Sequence, residues 1–386
     1  MITNKETLKF KLLTFIRYFG DAFFYPFFAL YLKHTGLVEG EIGFVLSITP
    51  IISIIANPIY SFFCKNSRIT KNILKVITVL EAIVITIIGF SNNFYLVSTL
   101  TILLALFGSC HYGLMDSFTA VYANISNTQY STIRIFGSIA YIIATTIGGV
   151  IVEKLGYSTS FIIASILFIA SGLLYQLIKP FDNLDKSDDK SNTSRYSKIL
   201  KNKYLIIFLI FYTILNSTNY SIDSFLSTFY KTIGVDAQGY GIVYSYYVIF
   251  EVVTMIILSK IKHRPTDEVL FIIASILYTT RMFVFYLNID LTTIIIITSF
   301  KGIVNGIINS IMFPYLIKLV GLKLATTATL IFNTVHSIYI ALGNNIFGNI
   351  IEKYGYSNLY LIGFIISLIA LTFSFINYIS NKKRIV

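Results

Sequence analysis

Charge is what this sequence has least of: Asp, Glu, Lys and Arg make up only 12% of its 386 residues, against about a quarter in soluble globular chains. Hydrophobic residues make up 55%, and the mean hydropathy is +0.75. One water-soluble core cannot absorb that much apolar surface, so lipid must be part of the solvent. Cysteine is nearly absent too. Cys64 and Cys110 both lie in or beside apolar stretches, which excludes a disulfide framework and offers no metal-ligand spacing. There is no G-x-x-x-x-G-K-[ST] phosphate-binding loop, so nothing here uses nucleotide energy. The first apolar run, 10–32, has no small-residue cleavage site and is long enough to span, so it reads as a membrane helix and not as a cleaved leader. The net charge of +12 would suit nucleic acid, but the basic residues form no single patch. They sit in short segments between apolar runs, the pattern of membrane topology.

A bilayer core of about 30 Å takes roughly 20 apolar residues of helix. On that measure the spans are 10–32, 41–63, 72–90, 94–122, 130–152, 157–179, 204–230, 238–260, 268–288, 291–318, 325–350 and 355–379. An even number places both termini on one side. That side collects 22 of the 30 Lys and Arg residues, the opposite side four (Lys33, Lys154, Lys231 and Lys353), and the rest lie inside spans. By the positive-inside rule both termini face the cytoplasm.

The only long polar stretch, 180–203, is acidic first (Asp182, Asp185, Asp188, Asp189) and then basic, and reads as a cytoplasmic linker. It divides six spans at 1–179 from six at 204–386. The halves look like repeats. GGVIVEKLGYS at 148–158 returns as FGNIIEKYGYS at 347–357, and YLKHTGLVEGEIG at 31–43 is echoed by FYKTIGVDAQGYG at 229–241. Both echoes sit 198–199 residues apart, at the same place relative to the spans. The fold class expected is therefore an all-α membrane protein of twelve helices in two pseudo-symmetric halves, the parallel six-helix repeats of the major facilitator fold. A channel or a membrane enzyme has no need of this arrangement.

Ionisable groups inside a span cost several kcal/mol and usually face a cavity or a partner. Nine qualify: Arg17, Asp21, Glu81, Asp116, Arg134, Asp223, Glu251, Arg281 and Lys301. Asp116 and Arg134 lie nine residues either side of the turn near Ile125. At about 1.5 Å per residue they share a level and can bridge. Glu251 and Arg281 stand in the same relation, fifteen residues either side of Thr266. Arg17 and Asp21 are one helical turn apart. Each pair also has a plain reading as a helix pin, as Glu81 has. Five acids face four bases, so one carboxylate is left over to carry a proton, with Glu251 favoured, then Asp223 and Glu81. His111 and His336 are read first as packing residues.

The string Ile133-Arg134-Ile135-Phe136-Gly137-Ser138 resembles the R-x-aromatic-G-small signature of one major facilitator branch. That branch holds lactose-permease-like, nucleoside and phenylpropionate permeases, most of them proton symporters. There too an acid lies eighteen positions before the Arg, as Asp116 does. The resemblance extends to 17–32, to GLVEGEIG at 36–43, to FEVVTMIIL at 250–258 and to Arg281. It implies that Asp116 and Arg134 grip substrate hydroxyls, and that Glu251 and Arg281 serve proton coupling; Asp223, from the count of acids against bases, and Lys301 join the coupling set. Arg17, Asp21 and Tyr141, the last an aromatic platform two turns after Arg134, complete the substrate set. The chain departs from the branch in three places: Lys65 stands where an acid is usual, Lys301 where His is frequent, and there is no Trp.

The expectation is a monomeric carrier of the bacterial inner membrane, not an enzyme. It would import a small polar solute, a sugar or nucleoside, with protons by alternating access and without a cofactor. Two readings stand beside it: a proton-driven efflux carrier for amphiphilic compounds, favoured by the many Phe and Tyr, and an importer of aromatic acids. A membrane enzyme would need a His/Asp/Glu or Ser/Lys cluster at one face, and a receptor a soluble domain. Neither is legible.

Overall fold

The computed structural model describes residues 4–64, 66–179, 181, 202–261 and 265–385; Lys65 and most of the linker, 180 and 182–201, lie outside the described residues. Seven helices run through the first half: α1 (Asn4–His34), α2 (Glu39–Phe63), α3 (Ser67–Ile88), α4 (Phe94–Gly108), α5 (His111–Ile125), α6 (Tyr130–Leu155) and α7 (Tyr157–Leu177). After the linker come α8 (Lys203–Tyr212), a π-helical turn (Thr213–Ser217), α9 (Thr218–Asp223), α10 (Leu226–Thr232) and α11 (Ala237–Lys260). The chain finishes with α12 (Asp267–Leu287), α13 (Leu291–Val320) and α14 (Leu322–Ile385). No strand occurs among the described residues. This is what hydrocarbon demands, because a helix satisfies every backbone donor and acceptor within its own segment.

Nine helical stretches among the described residues are long and apolar enough to cross a membrane. Ile331–Ser380 is one of them and contains two passes, since α14 bends at Gly355 (φ 79°, ψ 174°). The other two passes are α1 and α3, which Arg17 and Asp21, and Arg68, Lys71, Lys75 and Glu81, keep from so apolar a composition. The twelve expected spans are therefore present. Two are less regular than expected: Ser109 and Cys110 divide the fourth into α4 and α5, and a π turn divides the seventh. Single π turns inside helices are frequent at functional positions. The apolar exterior is plain along α6 and α7, where Ile139, Ile143 and Ile147, and Ile166, Ile169 and Leu173, are exposed at helical spacing. In water such stripes would aggregate; against lipid they are solvated.

The described residues fall into two compact units. One holds α1–α7 together with Ser227–Ser245, the other Lys203–Leu226 and the chain from Tyr246 onward. In the first, α1 packs on α6 and α7, and α3 on α7 and α4; in the second, α12 packs on α13 and α14. The internal repeat reappears as repeated backbone geometry. After α1, Gly36 takes φ 91°, Gly36 N–H donates to Lys33 O and Leu37 N–H to Leu32 O. After α10, Gly234 takes φ 86°, Gly234 N–H donates to Lys231 O and Val235 N–H to Tyr230 O. These are matched glycine C-caps, which need the left-handed region that glycine enters without penalty. Gly156 and Gly355, the glycines of the two G-Y-S strings, likewise share φ near 80° (84° and 79°).

Outside the spans, caps fix the helix starts. Asn93 accepts from Tyr95 and Leu96 N–H, and Asp290 from Thr293 N–H at 2.9 Å and its hydroxyl at 2.6 Å. Those bonds from Thr293 hold the Asp290 carboxyl below its ordinary range.

Close approach of α1 to α7 depends on Gly20. A Cβ there would lie 2.8 Å from Phe168 Cδ1 and 3.0 Å from Leu167 Cβ. Gly20→Ala is expected to destabilise by about 1–3 kcal/mol through overpacking, seen as a lowered unfolding temperature in nanodiscs. An unchanged transition would mean that the two helices do not meet this closely.

Candidate functional site

In the first unit a buried cluster draws on four helices. Arg17 on α1 donates to Glu81 of α3 with both terminal nitrogens, at 2.7 and 3.1 Å, a bidentate fork. Its Nη2 also lies 3.1 Å from Asp21. Glu81 Oε2 is 3.6 Å from His111 Nδ1 of α5, and that nitrogen is 3.2 Å from the Thr78 hydroxyl. On the far side of the ring, Nε2 is 3.5 Å from the Tyr175 hydroxyl of α7. Phe168 lies flat under the Arg17 guanidinium, 3.8 Å from ring centre to Cζ. Arg17, Asp21, Glu81 and His111 are all 0% exposed. The i,i+4 pair expected on span one is thus formed, but the main partner of Arg17 is Glu81.

Asp116 and Arg134 behave differently. The expected bridge is absent: among the described residues no ion pair within 4 Å joins them. Matched depth fixes height but not rotation about the helix axis, and Arg134 turns toward α1, where its Cζ lies 4.2 Å from the Tyr18 ring centre. Asp116 remains within electrostatic reach, with Tyr130 beside it. Both are partly exposed. Tyr141, two turns further along α6, lies against Tyr244 with ring centres 5.5 Å apart.

The second unit holds a triad. Arg281 on α12 grips both oxygens of Asp223 at the end of α9, and donates to Asn219 Oδ1 at 3.1 Å. Lys301 Nζ on α13 lies 3.2 Å from Asp223 Oδ2 and 4.3 Å from the Tyr247 ring centre. The expected Glu251–Arg281 pairing is therefore corrected. Counting outward from a turn compares only adjacent spans, and the acid that reaches Arg281 comes from the broken seventh span. Glu251 instead accepts from Asn309 Nδ2 at 3.0 Å. Two of the three acids proposed as the leftover carboxylate, Glu81 and Asp223, turn out to be paired.

Several residues here were missed or discounted from sequence. Around the π turn, Ser217 meets His336 Nδ1 at 2.8 Å, Thr218 meets Tyr339 at 2.6 Å, and Asn219 approaches Asn305 at 3.5 Å. The signal was available: TILNSTNYSID, 213–223, is a polar run inside an otherwise apolar span. Buried hydroxyls and amides in hydrocarbon require partners. No group of three or more His, Cys, Asp or Glu suited to a metal occurs among the described residues.

Comparison with known proteins agrees with this architecture. The sequence model of the MFS_1-like family matches residues 7–362. An uncharacterised transporter of Bacillus subtilis, YwbF, is 23% identical over 61% of the chain. A maltose permease of Geobacillus stearothermophilus is 24% identical over 43%, and a probable 3-phenylpropionic acid transporter of Escherichia coli 20% identical over 69%. The matched stretch spans 59% of the length of the first, 42% of the second and 70% of the third. Among solved structures, a point mutant of the nucleoside transporter NupG superposes with a TM-score of 0.84, at 15% identity, over 97% of this chain and 100% of the other. A bacterial homologue of the lysosomal transporter Spinster gives 0.72 at 13% identity, over 97% and 96%. At these identities the structural likeness establishes the fold.

Removing one partner of a buried ion pair costs about 3–5 kcal/mol, because the other charge is left without an answer. Asp223→Asn, which takes the shared acid from both Arg281 and Lys301, is expected to lower the unfolding temperature strongly, and Arg281→Gln in the same chain to recover part of the loss. Additive losses in the double variant would contradict the pairing.

Proposed function

Because the chain belongs to the MFS_1-like family, we propose that it is a secondary transporter importing a small polar solute, a sugar or a nucleoside, together with protons. It works as a single subunit in a bacterial inner membrane, both termini cytoplasmic, and draws on the ion gradient with no cofactor. Alternating access exposes its site to one side at a time.

The observation that carries this reading is Arg134. It is a partly buried guanidinium held on the Tyr18 ring with no carboxylate within 4 Å among the described residues. A fork of five donors positioned but not neutralised suits a ligand rich in acceptors, and Asp116 nearby supplies the matching acceptor for hydroxyls. Tyr141 offers a flat face to a sugar or base. Arg17 and Asp21, sealed in this conformation, belong to the set through α1, which also carries Tyr18. Glu251, Asp223, Arg281 and Lys301 form the coupling group, where carboxylates and cations at close range are sensitive to one added proton. The relatives named for a sugar, a nucleoside and an aromatic acid bracket the same chemistry. The aromatic-acid reading has the same support, since a substrate carboxylate would complete the Arg134 fork.

Uptake driven by a pH gradient in proteoliposomes, against labelled sugars, nucleosides and aromatic acids, tests the reading. One class is expected to accumulate. Arg134→Ala should raise its half-saturating concentration at least about tenfold, the equivalent of a lost charge-assisted bond of about 1.5–3 kcal/mol. Glu251→Gln should abolish accumulation while exchange persists. If no class is taken up and the gradient drives dye out of vesicles instead, the chain is an efflux carrier.

A further inference from the structure

The nine intramembrane ionisable groups divide unequally between the two units. The unit of α1–α7 holds three acids, Asp21, Glu81 and Asp116, against two bases, Arg17 and Arg134; the other balances Asp223 and Glu251 with Arg281 and Lys301. The carboxyl in excess therefore belongs to the amino-terminal half, although the pairs in the carboxy-terminal half look more like coupling machinery.

Geometry narrows the excess to one place. Glu81 takes both terminal nitrogens of Arg17, leaving Asp21 one approach of 3.1 Å to a nitrogen that Glu81 already engages, while Arg17 Nε has no hydrogen-bond partner. Neither Asp21 oxygen has a hydrogen-bond partner of good geometry, the Tyr112 hydroxyl being the neutral donor within reach besides Arg17, and the side chain is 0% exposed. The groups around the cluster bring no further matching cation. Tyr25 on α1, Tyr60 on α2, Cys110 before α5, and Tyr112 and Tyr175 are neutral. Arg134 on α6 acts on Asp21 only from beyond ion-pair distance, and Tyr141 on the same helix is uncharged. His111 sits against Glu81 on one ring nitrogen and Tyr175 on the other. Gly108 of α4 closes the remaining side, since a Cβ there would collide with Glu81 Oε1. One cation, two carboxyls and an imidazole are thus packed together at 0% exposure. With both carboxyls ionised and the imidazole neutral the cluster carries a net negative charge in low dielectric; with one proton added it is neutral.

We propose that Asp21, Glu81 and His111 form a proton-binding site around Arg17 in the amino-terminal half, distinct from the Asp223 triad, with Asp21 the carboxyl that holds the proton. Loading makes the cluster neutral and lets it stay closed. Release leaves Asp21 ionised against a guanidinium already engaged by Glu81, which favours a conformation that admits water. The proposal is independent of which solute is carried.

Infrared difference spectroscopy of the purified protein in nanodiscs tests it without any substrate. A neutral carboxylic acid has a C=O stretch apart from that of carboxylates, and it shifts in heavy water. At neutral pH the wild type is expected to show such a band, lost in Asp21→Asn. Should that variant not fold, Glu81→Gln serves: freeing the guanidinium gives Asp21 a full partner, so Asp21 ionises and the band again disappears. A difference spectrum of the wild type against either folded variant in which no neutral-acid band is lost would overturn the proposal.

Discussion

A guanidinium in hydrocarbon must be answered by a carboxylate, and both compact units are built around that requirement. Arg17 and Arg281 are each 0% exposed and each held by an acid from another helix. An unanswered charge at that depth would cost more than a single helix contact returns. So the helices bearing Glu81 and Asp223 are fixed relative to those bearing the arginines before apolar packing adds anything specific. Lipid is as apolar as leucine, and without a hydrophobic drive between helices such polar contacts and close glycine approaches set the arrangement.

The two answers differ in kind. Arg281 and Lys301 share Asp223, an excess of positive charge at the triad that Glu251 balances at the level of the unit. Around Arg17 two carboxyls compete for one cation. Arg134 stands apart from both, resting on an aromatic ring, and for that reason the proposed ligand site is centred on it and not on residues that answer one another.

Much of this was legible in the sequence. Spans, halves and the repeat follow from apolar run lengths and from two strings, and the glycines in those strings take matching left-handed conformations after α1 and α10. All nine intramembrane charges were identifiable because charge in a span is rare. Their partners were not. Depth along a helix can be counted from a turn, but rotation and the choice of neighbour depend on packing, so Asp116–Arg134 and Glu251–Arg281 were paired by height while Arg134 turned to Tyr18 and Arg281 to Asp223. The break at Ser109–Cys110 was hidden because a helical reading continues through it, whereas the π turn at Thr213–Ser217 lies in the polar run 213–223, whose composition marks the place but not the geometry.

Coupling of solute movement to charge movement is the centre of the account. A rapid solute jump onto proteoliposomes adsorbed to a supported membrane, with no pH gradient imposed, measures it directly. A transient inward current of positive charge is expected on addition of a sugar or nucleoside that the carrier takes up. Uptake of the labelled solute with no current would contradict it and leave a passive carrier.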